Sequence, residues 1–139
     1  MDRVAESLFV GTLADASDGA LLAENGVETV VSLTHADPDT GFPDSVSVIK
    51  HELLDGPRND RERFEDAVEA VRSRIESGET VLVHCSRGAS RSPSVAAAAT
   101  ALSQDIGIEE AFEQVSENAD ACEPHDALVR QAVAVFRES

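Results

Sequence analysis

Residues 80 to 94, TVLVHCSRGASRSPS, constrain the fold more than any other stretch of the chain. TVLVHC is a short apolar run without alternation, the pattern of a strand covered on both faces. Gly88, among serines and arginines, marks a tight loop of five residues. Pro93 suits the first position of a helix, where a missing N–H costs nothing. The helix it opens, SVAAAATALSQ, is Ala-rich and can pack closely against a sheet. A buried strand feeding a helix through a short loop is the building unit of a parallel α/β sheet.

The rest of the chain repeats the alternation. SLFVG (7 to 11), VETVVSLT (27 to 34) and SVSVIKHELL (45 to 54) have strand character, and DASDGALLAENG forms a helix closed by Gly26. HADPDTGFPD (35 to 44) is a loop by its prolines, glycine and aspartates. From Asn59 the chain turns helical: Asn59 is the N-cap with Glu62 three residues later, Phe64, Ala67, Val68, Val71 and Ile75 form one apolar stripe, and Gly78 stops it. Two further helices are predicted around IEEAFEQVSEN and PHDALVRQAVAVF. The expectation is an α/β fold with a mainly parallel central sheet of four to five strands flanked by helices, in one domain spanning residues 1–139. Ligands of such sheets bind beyond the carboxyl ends of the strands.

Composition narrows the partners. The net charge is −16, spread along the chain rather than gathered in a tail, so nucleic acid and anionic membranes would be repelled and neither is expected as a partner. Lys50 is the only lysine; every other basic residue is arginine. This composition is similar to that of proteins from salt-loving organisms, whose near-molar salt shortens the Debye length to about 3 Å. A halophilic protein is expected, with structure lost in dilute buffer. With neither an apolar N-terminal signal nor an apolar run of eighteen residues, a cytoplasmic protein is expected, and Cys85 and Cys122 should be reduced thiols.

The loop after His84 turns its amides and the start of a helix toward one point, which makes an anion cradle suited to a tetrahedral oxyanion. The same field, with Arg91, favours Cys85 as a thiolate near neutral pH.

HCSRGASRS resembles the His-Cys-x5-Arg-Ser phosphate-binding loop of the cysteine-dependent phosphatases, and is most similar to that of the dual-specificity protein phosphatases. SLFVGTLADASDGALLAENGVETVVSLT is similar to that family's opening segment, and HELLD precedes the Cys at about the spacing of the family's acid; beyond about residue 104 only helical character carries over. The resemblance implies a phosphomonoester hydrolase acting on phosphotyrosine and phosphoserine or phosphothreonine in proteins, through a cysteinyl-phosphate intermediate. In-line attack on phosphorus needs a nucleophile, donors for three equatorial oxygens and a proton source. Cys85 is the nucleophile. The Arg91 guanidinium and the main-chain N–H groups of Ser86, Arg87, Gly88, Ala89, Ser90 and Arg91 bind the oxygens. By resemblance, the Ser92 hydroxyl bonds the sulfur and helps it leave, while His84 sits behind the loop and orders it. A monomer without metal or cofactor is expected, its partner a phosphorylated protein or peptide.

Three acids compete for proton donation. Asp44 stands at the start of a strand, on the wrong edge, and helix capping explains Asp60. Asp55, just past the end of SVSVIKHELL, shares the edge from which Cys85 emerges and is the expected acid. Arg58 and Arg87 fall at the pocket mouth, as solvated charges or as contacts for a second anionic group. The lack of Tyr and Trp removes the aromatic wall of the tyrosine-specific branch, leaving Phe42 as a candidate. His84, Cys85, Cys122 and His125 are the right residue types for zinc, but adjacent strand residues point to opposite sides and rarely share a metal. His35, His51 and His125 are expected to be structural, and Cys122 a packed or partly exposed thiol, with a disulfide to Cys85 under oxidation as the lesser alternative. Alternatives in function are hydrolysis of a non-protein phosphoester (a phosphoinositide, a nucleotide or an RNA 5′-phosphate), a phosphate-binding module without turnover, and sulfur transfer, for which the loop is generally one residue shorter.

Overall fold

The computed structural model describes residues 1–54 and 61–138. Eleven elements follow in order among them: β1 (Asp2–Ala5), β2 (Leu8–Gly11), α1 (Leu13–Ser17), α2 (Gly19–Glu24), β3 (Thr29–Ser32), β4 (Ser47–Lys50), α3 (Arg61–Glu76), β5 (Val81–His84), α4 (Arg91–Gln104), α5 (Ile108–Asn118) and α6 (Asp126–Arg137). The strands form one sheet in the order β1-β2-β5-β3-β4. All neighbours are parallel except β1 and β2. The α/β sheet flanked by helices expected from the sequence is therefore present.

Apolar side chains leave the sheet on both faces, as continuous apolar strands require. One face, with Val31, Val81 and Val83, packs against Phe64 and Val68 of α3, Val95 of α4 and the last two helices. The other, with Phe9, Val30 and Leu82, packs against Ala16 of α1 and Leu22 of α2. β5 lies in the middle and is buried throughout, which carries its carboxyl end into the centre of the sheet edge. The Ala-rich helix is buried from Ser92 to Ala101. A helix apolar nearly all round belongs inside, and α4 touches α3, α5 and α6 as well as the sheet.

Several boundaries differ from expectation for local reasons. The single helix expected within residues 15–26 is two. Thr12 opens α1 with a capping box to Asp15, and Asp18, non-helical at φ −91°, caps α2 through the N–H of Leu21. Ser17-Asp18 thus acts as a break because an Asp side chain competes for the next helix's amides. The strand expected over 45–54 pairs only at Ser47–Lys50, although the N–H groups of His51 and Leu53 still donate to Ser32 and Leu33. α4 opens at Arg91, so Pro93 sits within the first turn rather than at its first position; its missing N–H is still one the helix cannot use. β1 escapes sequence reading because four residues, DRVA, carry no period. The expected N-cap Asn59 lies outside the described residues. Among those described, no helix is long and apolar enough to cross a membrane.

Candidate active site

The cradle is built from backbone before any side chain acts. Gly88 adopts φ +70°, and a Cβ there would stand 3.2 Å from both the carbonyl carbon and oxygen of Gly11, so only glycine lets the loop close onto β2. The carbonyls of Ser86, Ala89 and Ser90 accept from the N–H groups of Leu13 (3.3 Å), Glu123 (2.6 Å) and Ser94 (3.2 Å) respectively. Because a trans peptide sets its C=O and N–H on opposite sides, the amides of Arg87, Ser90 and Arg91 point away from those partners. The Cys85 N–H donates to Gly11 at 3.2 Å. His125, expected only to be structural, braces the loop from outside: its N–H donates to Ser90 Oγ at 2.9 Å, and its Nδ1 accepts from Ala127 as the cap of α6.

Cys85 is 2% exposed at the floor. Ser92 Oγ lies 3.2 Å from its Sγ, and the Ser92 N–H points at the sulfur across 3.5 Å. These are groups of the first turn of α4, where the helix presents partial positive charge. Arg91 reaches back over the loop, donating 3.0 Å bonds to Ser86 Oγ and to the Leu53 carbonyl. Its planar fork is thereby aimed with N–H groups to spare. Cys85, Ser86, Arg87, Ala89, Ser90 and Arg91 line a cavity of about 40 Å³. A water needs about 10–15 Å³ of such space, so the cavity suits one small oxyanion.

His84, fully buried, places Nδ1 3.2 Å from the Cys85 carbonyl and Nε2 2.8 Å from Ser32 Oγ. Burial drives its pKa down to about 4; the bond to Cys85 and the charge of Asp15 oppose this, while Lys50 and Arg91 reinforce it. The ring is therefore neutral at neutral pH, and both nitrogens are engaged within the protein.

The structure brings Cys85, Arg91, Ser92, His84 and the loop residues 86–90 to one sheet edge. Asp55, the expected acid, lies outside the described residues, as do Arg58 and Asp60. Asp44 precedes β4, at the edge opposite Cys85. Arg87 is exposed at the cavity rim. Phe42 does not line that cavity; its ring lies 6.0 Å from that of His84. Cys122 is a half-buried free thiol whose pKa burial raises. Sequence reasoning missed Ser32, Lys50 and the Leu53 carbonyl. Their only signal was position, at or beyond the carboxyl ends of β3 and β4, on the same edge as that of β5.

Residues 8–138 match the family described as "Dual specificity phosphatase, catalytic domain". The chain belongs to this family of phosphatases, which acts on phosphorylated proteins. Human dual specificity phosphatase 28 is 29% identical over 130 residues, covering 93% of this chain and 73% of that protein. Human dual specificity protein phosphatase 22 is 27% identical over 134 residues, covering 94% and 71%. Among solved structures, that of human DUSP28 superposes with a TM-score of 0.90 at 26% identity, covering 99% of this chain and 96% of that one.

Proposed function

We propose that the chain removes phosphate from phosphotyrosine and phosphoserine or phosphothreonine in proteins through a covalent intermediate on Cys85. The sulfur attacks phosphorus in line, forming the S–P bond as the ester P–O bond breaks. Arg91 and the loop amides hold the three equatorial oxygens as charge develops on them. Asp55 gives its proton to the departing alkoxide or phenoxide. Water then attacks the phosphocysteine, Asp55 takes the water's proton, and the Ser92 hydroxyl stabilises the departing thiolate.

The observation that carries this reading is the seating of Sγ against the Ser92 N–H and hydroxyl, in a cavity also lined by Arg91, whose guanidinium is anchored to Ser86 and Leu53. The anchor at Leu53 also supports Asp55 as the acid, since it ties the chain just before that residue to the loop arginine. Turnover of an aryl phosphate that disappears in Cys85→Ser is the first test. Asp55→Asn should lower turnover of substrates with poor leaving groups by about two to four decades while phosphate still binds. Equal activity of that variant would reassign the acid. Phosphopeptides run beside inositol phosphates and triphosphorylated RNA define the substrate class.

A further inference from the structure

The last residues of three adjacent strands, Lys50 of β4, Ser32 of β3 and His84 of β5, pair in register, so their side chains leave the same face of the sheet. Lys50 Nζ lies 3.2 Å from Ser32 Oγ, 3.3 Å from the Ala36 carbonyl and 2.6 Å from Asp37 Oδ1. An ammonium has three hydrogens and no lone pair, so these acceptors use all it has. Ser32 Oγ must therefore accept from Lys50 with one of its two lone pairs, and its other lone pair and its single hydrogen remain to face His84 Nε2, 2.8 Å away. A ring nitrogen that accepts carries no proton. The Cys85 carbonyl can only accept, so the one proton of the neutral imidazole is on Nδ1, and the bare Nε2 takes the Ser32 hydrogen.

Donation runs one way along this row, from cation to hydroxyl to imidazole to carbonyl. We infer that Lys50 is a positioning residue for Cys85: acting through Ser32, it fixes His84 in the Nδ1–H form that holds the Cys85 carbonyl and so the entrance to the loop. The inference rests on Cys85 being the nucleophile proposed above. Lys50, by holding one lone pair, orients the hydroxyl with its hydrogen on Nε2; removing the ammonium frees Ser32 to turn that hydrogen away, which admits the Nε2–H form and sets a ring lone pair against the Cys85 carbonyl. The charges acting on the ring are those of Lys50, Arg91 and Asp15. The Phe42 ring, with Lys50 Nζ 5.8 Å from its centroid, packs beside the row.

The test is the protonation pattern of the His84 ring, read from long-range proton–nitrogen correlations in nitrogen-15-labelled protein at neutral pH. The intact protein should show protonated Nδ1 and bare Nε2. Lys50→Met, which keeps the stem, should show a population of Nε2–H and a kcat on an aryl phosphate lowered about tenfold with KM little changed. Lys50→Arg, which keeps a cationic donor, should restore both. Should Lys50→Met fail to fold by circular dichroism, the pair Lys50→Met with Asp37→Asn, which leaves no unpaired charge, is read instead. Nε2–H in the intact protein, or an unchanged Nδ1–H pattern in the folded variant, overturns the inference. Because the ring is read in resting protein, absence of turnover in every form would count against the proposed function and leave this test standing.

Discussion

At the scale of single residues, the loop closes because position 88 has no side chain. Gly88→Ala places a Cβ against the main chain of Gly11 and forces alanine into left-handed backbone. A loss of about 1–2 kcal/mol is expected from the backbone alone. Urea unfolding should report that loss, and aryl phosphatase assays a larger proportional loss of activity. His84 gives a second prediction. Its folded-state pKa of about 4 lies below the ordinary 6.5, so between these values the unfolded chain holds a proton that the folded one does not. Stability is therefore complete above about pH 6.5 and falls as pH drops toward 4, by up to about 3 kcal/mol. The difference in unfolding free energy between the natural protein and His84→Gln, followed from neutral to acid pH, should narrow over that window. The cradle was legible because Cys85, Gly88, Arg91 and Ser92 are neighbours in sequence. The row of Lys50, Ser32 and His84 was not, because only strand register brings together residues from three separate segments.

Helices and strands were legible where a period or an apolar run was long enough. Phe64, Ala67, Val68 and Val71 give α3 a buried stripe, and unbroken apolar residues place β5 at the centre. β1 lacks any such signal and is held by pairing with β2 and by the Gln114 side chain, which donates to the Val4 carbonyl at 2.8 Å. That contact spans most of the chain and leaves no local trace. Within α4, Thr100 is fully buried, and its hydroxyl has no hydrogen-bond partner among the described residues. Replacing an unsatisfied buried hydroxyl with a methyl group of similar shape removes a desolvation cost. Thr100→Val should stabilise by about 1 kcal/mol in thermal unfolding, with activity unchanged.

Over the whole molecule, 27 acidic residues face 11 basic ones. Cations are matched locally, as in Lys50 with Asp37, Arg72 with Glu69 and Glu76, Arg74 with Glu79, and Arg61 with Glu138. The excess negative charge has only salt to screen it. We propose a protein adapted to high salt. Its thermal midpoint should rise steeply between about 0.01 M and about 1 M salt, as the Debye length shrinks from about 30 Å to about 3 Å. A circular dichroism melt independent of salt would contradict that. The same acidic surface surrounds a cationic, amide-lined cavity with one sulfur at its floor, and on that sulfur the functional account depends. Rapid acid quenching during turnover of an aryl phosphate, followed by peptide mapping, tests it most directly. A single phosphoryl group on the peptide carrying Cys85 is predicted; continued turnover with Cys85 never phosphorylated would contradict the account.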